Sequence, residues 1–243
     1  MYLFKLDATD STNSYLKQLS KNENLGKWTV VTAKFQTSGR GQKGAVWESE
    51  RGKNLICSIL LKLEGVKAED QFMLNCAVST GIHHYLKRFN LPKLTVKWPN
   101  DIMSVSRKLG GILIENTLFK GEISQSIIGV GINVNQESFS DDLPAAVSLK
   151  QLTGSEMDLE IFLQDLLNSI QNKFALVFEN RYGELKSQYE ANLYRKDKVH
   201  TFKNFKGEQF SGIIRGVNYQ GTLQIERENG SMDSYNFKEV SYL

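Results

Sequence analysis

A glycine-rich stretch at residues 37–47, TSGRGQKGAVW, constrains the fold of this chain more than any other segment. Its glycines spell G-x-G-x-x-G, and the residues on both sides, 28–35 and 54–61, are rich in the β-branched and aromatic side chains typical of strands. A dinucleotide-binding fold needs that motif between a strand and a helix, and a protein kinase also needs H-R-D and D-F-G motifs, which this sequence lacks. The P-loop pattern G-x-x-x-x-G-K-S/T is missing too. The sequence therefore predicts a strand–loop–strand element whose glycines let backbone N–H groups approach an anion.

The residues of this loop leave two interpretations open. Arg40 and Lys43 place positive charge beside the glycines, which suits an anionic ligand. A glycine-rich surface turn with solvated cations is equally consistent with the same residues. Trp47, at the junction with the following strand, is of a type that more often anchors a core than binds a ligand.

The composition indicates an ordinary globular protein and argues against several classes of function. Of 243 residues, 40% are hydrophobic and 23% are charged, and the net charge of +3 is too balanced for a general nucleic-acid binder. The first residues do not resemble a secretory signal, and no apolar run approaches the ~18 residues that span a bilayer. Cys57 and Cys76 form no C-x-x-C pair, which is typical of free thiols in a reducing compartment. We therefore expect a cytoplasmic protein that binds neither nucleic acid nor membrane.

The hydrophobic pattern predicts both helices and strands along the chain. Apolar residues recur at intervals of three and four over 69–89 and over 158–189, which indicates helices, and a capped helix start is predicted at 10–13. Strands are predicted at 94–97, 112–115 and 123–134, the last two joined by a hairpin turn at 119–122. Short strands and the turn signal N-G over 195–243 indicate a separate small β-barrel. The predicted domains are therefore 1–194 and 195–243.

A second group of charged and polar residues lies in the segment 97–115, KWPNDIMSVSRKLGGILIE. Its K-W-P-N-D run is costly to bury unless the charges are paired or bound to a ligand, although a polar turn shaped by the proline is the alternative. Lys108 stands just before Gly110 and Gly111, where a buried strand begins. This order can bring a carboxylate or phosphate against a sheet.

A third feature, residues 128–135 with the sequence IGVGINVN, alternates glycines with β-branched residues. Because side chains alternate across a strand, Gly129 and Gly131 are predicted to face the same side and to leave a trough there. The trough suits either a ligand or a closely packed helix.

Taken together, these motifs resemble those of the biotin protein ligase family, in the family's order and at its spacing. The matching residues are D-S-T-N at 10–13, Gln36 with G-R-G at 39–41, K-W-P-N-D at 97–101, K-L-G-G-I at 108–112 and G-V-G-I-N at 129–133. The resemblance implies an α+β fold of the class II synthetase-like type. Its catalytic domain would be a mixed β-sheet flanked by helices, followed by a small SH3-like β-barrel.

In that family, biotin and ATP give biotinyl-5'-adenylate and pyrophosphate, and the biotinyl group then passes to one lysine of a biotin carboxyl carrier domain. The resemblance implies catalytic roles for Arg40, Asp101 and Lys108. It implies contacts with biotin from Ser11, Thr12, Asn13, Gln36, Gly39, Arg40, Gly41, Gln42, Lys108, Gly110 and Gly111. It implies contacts with ATP from Arg40, Trp47, Lys97, Asn100, Asp101, Lys108 and Asn133, with Mg²⁺ carried by ATP and no metal site in the protein itself.

This sequence departs from the family pattern at two places. The family's loop often carries further arginines where this chain has Gln42 and Ala45. Regulatory members begin with a DNA-binding domain, whereas here the D-S-T-N motif begins at residue 10, so we expect a ligase and not a repressor.

Two alternatives to a biotin ligase remain. One is a lipoate-type ligase, although its R-R-x-S-G-G-G-A-V loop is missing here, and the other is a biotin- or adenylate-binding regulator without transfer activity. The expected partner is the carrier domain of a biotin-dependent carboxylase. Whether the protein forms a homodimer through an exposed sheet edge is left open.

Overall fold

The computed structural model describes residues 2–22, 24–143 and 145–243, without the side chains of Asn22 and Lys43. The positive charge predicted at Lys43 therefore lies outside the described side chains. Two β-sheets and five α-helices make up the described chain.

The larger sheet is mixed and has seven strands, in the order β1-β2-β3-β7-β6-β5-β4. The strands are β1 (Tyr2–Leu6), β2 (Trp28–Ala33), β3 (Leu55–Lys62), β4 (Leu94–Lys97), β5 (Asp101–Ser104), β6 (Arg107–Phe119) and β7 (Glu122–Ile132). The first two are parallel and every other neighbouring pair is antiparallel. The hairpin of β6 and β7 turns at Lys120 and Gly121, whose φ values of 50° and 82° suit a two-residue turn, so the predicted hairpin is confirmed.

The two faces of this sheet pack against different helices, which are α1 (Thr12–Asn22), α2 (Gln71–Leu86), α3 (Leu149–Thr153), α4 (Leu159–Phe178) and α5 (Tyr182–Glu190). Along β3, Ile59 belongs to the main core with α2 and α4, while its neighbour Leu60 packs on the other face with Leu16 of α1. This alternation is what a strand buried on both faces requires. The face that carries α1 also carries the candidate site.

The pattern over 158–189 predicted one long helix or two, and the structure has two, α4 and α5. Asp158 caps α4, since its carboxylate accepts from the backbone N–H groups of Glu160 at 2.8 Å and Ile161 at 3.0 Å. Asn180, with φ of 55°, interrupts the helical path before α5 begins.

The smaller sheet has five antiparallel strands, in the order β11-β10-β9-β8-β12. They are β8 (Val199–Asn204), β9 (Gln209–Val217), β10 (Leu223–Arg227), β11 (Met232–Tyr235) and β12 (Val240–Tyr242). The predicted α+β fold with an SH3-like C-terminal domain is confirmed. The predicted barrel is open, because β12 pairs with β8 and, within the described residues, no ladder joins it to β11.

Three smaller predictions can also be compared with the structure. Both cysteines are free, as predicted, and both are buried. The strand predicted at 112–115 is longer, because pairing with β7 extends β6 over Arg107–Phe119. Within the described ranges, no helix has the length and apolar character needed to cross a membrane.

Candidate active site

A cavity of about 480 Å³ lies on the α1 face of the large sheet, between the glycine loop and the small C-terminal sheet. It brings together residues from all three motif groups, which are far apart in the sequence. The predicted site residues that line it are Ser11, Thr12, Asn13, Gln36, Arg40, Gly41, Gln42, Trp47, Lys97, Asn100, Asp101, Lys108 and Gly111. The cavity volume is in the range typical of small-molecule sites.

Gly39 and Gly110, which were predicted to contact biotin, lie outside the lining. Their lack of a side chain lets neighbouring parts of the chain pack closely against their backbone. A Cβ atom at Gly39 would lie 2.2 Å from the carbonyl oxygen of Trp47, and one at Gly110 would lie 2.5 Å from Cδ1 of Ile132. Neither position has room for a side chain. Their predicted contacts with biotin stay predictions, and the structure shows a packing reason for each glycine.

Asn133, predicted to contact ATP, is also outside the lining. Its side-chain amide donates to the carbonyl oxygen of Val147 at 3.1 Å and lies 3.4 Å from that of Lys108. Its backbone N–H donates to the carbonyl oxygen of Leu109 at 2.8 Å. The geometry therefore supports a role in holding the strand that carries Lys108, and the contact with ATP stays a prediction.

The floor of the cavity is made by three adjacent strands, with glycines at three of its six positions. In register across β3, β7 and β6 lie Ile56, Gly131 and Gly111, and the next row holds Ser58, Gly129 and Leu113. Cβ atoms at the two β7 glycines would lie 2.6 Å from Oδ1 of Asn13 and 2.6 Å from the indole of Trp47. The predicted trough is confirmed, and the start of α1 and the loop tryptophan pack into it.

Hydrogen bonds tie the start of α1 to the floor. Oε1 of Gln36 accepts from the backbone N–H of Thr12 at 2.8 Å and from its hydroxyl at 3.1 Å, so a loop side chain caps this helix. Oγ of Ser58 lies 2.7 Å from the Thr12 hydroxyl and 2.5 Å from Oδ1 of Asn13. The result is a cluster of fixed hydroxyl and amide groups at one end of the cavity.

The glycine loop folds over the cavity as a short hairpin. The N–H of Gly41 donates to the carbonyl oxygen of Ala45 at 2.6 Å, and the N–H of Trp47 donates to that of Gly39 at 3.0 Å. Arg40 reaches from the loop to Glu115 on β6, with Nη2 2.9 Å from Oε2. Sequence reasoning did not select Glu115 or Ser58, because neither stands within a glycine motif.

The opposite end of the cavity is positively charged. Nζ of Lys108 lies 2.7 Å from Oδ1 of Asp101. Burial lowers the pKa of Lys97, although the nearby Asp101 carboxylate opposes that shift. Together with Arg40 and Lys238, these lysines place four cationic side chains around one cavity.

The C-terminal sheet supplies part of the cavity wall, which the sequence did not predict. The lining residues from this part of the chain are Phe237, Lys238, Val240, Ser241 and Tyr242. Trp98 connects this wall to the K-W-P-N-D segment, since its indole N–H donates to the carbonyl oxygen of Gly221 at 2.8 Å and its ring lies 6.3 Å from that of Phe237. The small domain therefore helps to form the site.

Two polar atoms of the loop are buried without a hydrogen-bond partner among the described residues: Oε1 of Gln42 and Nε1 of Trp47. A buried donor or acceptor left unpaired costs ~1–3 kcal/mol. Both residues line the cavity, so a ligand that offers a donor and an acceptor would recover this free energy.

Among the described lining residues, no thiol is activated. Cys57 lines the cavity, but burial raises the pKa of this thiol to about 12, so it stays protonated at neutral pH. Within the described chain, no cluster of His, Cys, Asp and Glu is suited to hold a metal ion. The site offers cations, amides and hydroxyl groups, which suit binding and charge stabilisation.

The sequence profile of the biotin/lipoate A/B protein ligase family matches residues 6–133, which include every motif that lines the large-sheet side of the cavity. This chain belongs to that family. Among curated members, the bifunctional ligase/repressor BirA of Salmonella typhimurium is 32% identical over 229 residues, covering 92% of this chain and 69% of its own. The biotin–acetyl-CoA-carboxylase ligase of Paracoccus denitrificans is 25% identical, covering 93% of this chain and 94% of its own.

Solved structures of ligases have the same fold over the whole chain. The biotin protein ligase from Aquifex aeolicus, in complex with biotin and ATP, superposes with a TM-score of 0.81 at 26% identity. The match covers 99% of this chain and 97% of that one, so it includes the C-terminal sheet as well as the family region.

Proposed function

We propose that this member of the ligase family activates biotin with ATP as biotinyl-5'-adenylate and transfers the biotinyl group to a lysine of a carboxyl carrier domain. The observation that carries the proposal is the division of one cavity into two ends. One end holds fixed amide and hydroxyl groups, and the other holds Lys97, Lys108 and Asp101. The Aquifex ligase, which has the same fold, binds biotin and ATP together.

The amide and hydroxyl end suits the ureido ring of biotin. That ring carries two N–H donors and one carbonyl acceptor, so it needs partners of both kinds. Ser11, Thr12 and Asn13 at the start of α1, with Gln36, supply such groups beside the glycine floor. The glycines leave room for the bicyclic ring against the sheet.

The first step joins two anions, the biotin carboxylate and the triphosphate. One carboxylate oxygen bonds to the α-phosphorus, and the bond from that phosphorus to the bridging oxygen breaks, so pyrophosphate leaves with the electron pair. Arg40, Lys97 and Lys108 line the cavity where this negative charge gathers. The substrate itself is the nucleophile, which agrees with the protonated state of Cys57.

Mg²⁺ would enter with the phosphates of ATP, which are its usual ligands. Asp101 is the acidic residue among the described lining residues, and its carboxylate is paired with Lys108. Asp101 would be suited to hold the ion beside the phosphates or to orient Lys108. When bound, the ion would neutralise phosphate charge.

The second step transfers the biotinyl group. The neutral amine of a carrier lysine attacks the carbonyl carbon of the mixed anhydride and forms an amide. The bond from that carbon to the bridging oxygen breaks, AMP leaves with the electron pair, and the amide nitrogen loses a proton to water. Because water can attack the same carbonyl, the glycine loop over the cavity supports the proposal by covering the intermediate. The cations that stabilised the adenylate would also stabilise the departing AMP phosphate.

Incubation of the purified protein with biotin, ATP, Mg²⁺ and an apo carrier domain, followed by a streptavidin blot, tests the proposal. We expect labelling of the carrier that needs all components. Pyrophosphate exchange driven by lipoate and not by biotin would replace the proposal with a lipoate ligase. Tight adenylate binding without carrier labelling would replace it with a regulator.

A further inference from the structure

The carboxylate of Glu115 joins two separate parts of the cavity rim. Its Oε2 accepts from Nδ2 of Asn13 at 2.8 Å and from Nη2 of Arg40 at 2.9 Å, and its Oε1 lies 3.4 Å from Nη1 of Arg40. One side chain on β6 therefore contacts both the start of α1 and the glycine loop. The arrangement with Arg40 uses two parallel N–H groups, which is the stronger form of such a pair.

The position of Glu115 follows from the alternation along β6. Gly111 and Leu113 line the cavity floor, and Glu115 is the next residue on the same face. It stands opposite Ile127 of β7, which belongs to the core beneath α1. The carboxylate thus lies just beyond the floor, outside the cavity lining, with its side chain 26% exposed.

We propose that Glu115 is a positioning residue that holds the glycine loop closed through Arg40 and sets the orientation of the Asn13 amide. The hydrogen bonds of Gly41 and Trp47 are made within the loop and give it its shape, whereas the Glu115 pair attaches it to the sheet. No contact between Glu115 and the substrates is part of this role.

The Asn13 amide has a defined orientation for the same reason. A carboxylate accepts and cannot donate, so the NH₂ group must face Glu115 and the carbonyl oxygen must face Ser58. This orientation presents one face of the amide to the cavity. Loss of the carboxylate charge would loosen both constraints.

Pairing with Glu115 does not exhaust the donors of Arg40. A guanidinium carries five N–H groups, and the ion pair uses two of them, one on each terminal nitrogen. The remaining three lie outside this pair, and among the described residues no hydrogen-bond partner is seen for them, so they can face a ligand. Arg40 can therefore be anchored and contact an anion at the same time.

The experiment compares amide hydrogen exchange at residues 39–47 in the ligand-free protein and its variants. Glu115→Gln keeps an acceptor for Asn13 but removes the ion pair with Arg40, and we expect exchange in the loop to rise about threefold to tenfold. Exchange in the strands β3 and β7 should not change. Glu160→Gln, which breaks the remote surface pair with Lys5, is the matched control and should leave the loop unchanged.

A double variant tests whether Glu115 acts through Arg40. If it does, adding Glu115→Gln to Arg40→Ala produces no further increase in loop exchange. Additive increases would overturn the proposal, as would unchanged loop exchange in both Glu115→Gln and Glu115→Ala.

The consequence for catalysis rests on the proposed function. In a single-turnover reaction, Glu115→Gln should shorten the lifetime of bound biotinyl-adenylate by about threefold to tenfold while the KM for ATP stays unchanged. A rise in the KM for ATP with an unchanged lifetime would contradict a positioning role. If the wild-type protein formed no adenylate, the proposed function would fail, and loop exchange would still decide the role of Glu115.

Discussion

Removal of the Lys108 ammonium is the sharpest test of how this cavity stabilises charge. Lys108 lies 2.7 Å from Asp101, with 40% and 25% of the two side chains exposed. Lys108→Ala therefore has two effects: it removes a cation from the site where the biotin carboxylate meets the α-phosphate, and it leaves the Asp101 carboxylate without its partner. Both disfavour an approaching anion.

The removal of the cation determines how much adenylate formation slows. A preorganised donor at a developing charge contributes ~3 kcal/mol, which corresponds to a rate factor of about 150. The ion pair itself is partly exposed and screened by water, so it stabilises the fold by ~1 kcal/mol or less. We therefore expect Lys108→Ala to slow adenylate formation by about two orders of magnitude and to lower Tm by no more than about 4 °C.

Biotin-dependent exchange between ATP and pyrophosphate measures this step directly. Lys5→Ala, which removes a lysine from a surface ion pair of similar length, 2.8 Å, serves as the control and should exchange at the wild-type rate. Lys108→Ala/Asp101→Asn also neutralises the unpaired carboxylate. If Asp101 acts only as the partner of Lys108, exchange recovers about threefold to fivefold over the single variant, whereas a further loss shows that Asp101 also serves the metal-bound phosphates.

If Lys108→Ala catalyses exchange at a rate within about threefold of wild type, this reasoning is refuted, because the other cations of the lining would then supply the charge without Lys108. A large fall in Tm would instead show that the ion pair holds the fold. The double variant separates the two causes, since recovery of exchange without recovery of Tm implicates charge in the cavity.

Three further predictions concern the walls of the site. Trp98→Phe keeps the ring but leaves the carbonyl of Gly221 without its donor, so we expect ~1 kcal/mol lower stability in urea unfolding and a higher KM for ATP. Equal KM values would mean that the small sheet does not shape the nucleotide end. Gly131→Ala places a Cβ 2.6 Å from the Trp47 indole, so the indole must move. We therefore expect ATP to bind more weakly than in wild type and to quench tryptophan fluorescence less. Unchanged ATP affinity would contradict the contact predicted between ATP and Trp47. Arg40→Ala should speed release of the adenylate more than it weakens ATP binding, as single-turnover kinetics can show, and an unchanged adenylate lifetime would count against a loop that retains its ligand.

The local residue pattern was enough to predict the helices and strands whose residues follow a single periodicity. The apolar spacing over 69–89 predicted α2, and the β-branched runs predicted β2 and β3 to within two residues at each end. Two strands of the large sheet were missed. β5 starts with the charged Asp101 in the K-W-P-N-D run, where no strand was predicted and a polar turn was the alternative to a ligand site. β1 is a short edge strand with a mostly exposed pattern. Each forms because a partner strand offers backbone hydrogen bonds, which leaves little trace in its own residues.

The composition of the site was also largely apparent from the sequence. Glycines that allow close approach, cations beside them and a polar helix start are local features, and most of these residues do line one cavity. Gly39, Gly110 and Asn133 belong to the same motifs yet stand behind the lining, where they hold the backbone. A motif thus marks the neighbourhood of a site and does not separate residues that can contact a ligand from residues that support them.

By itself the amino-acid sequence determined which helices and central strands form and which chemical groups are available for binding. The tertiary structure alone decided which distant groups meet: Glu115 with Arg40, Ser58 with Asn13, and residues 237–242 with the K-W-P-N-D segment. The physical reason is that Arg40 and Glu115 are 75 residues apart, and a pairing across such a distance depends on strand register and helix packing. No periodicity within either segment encodes it.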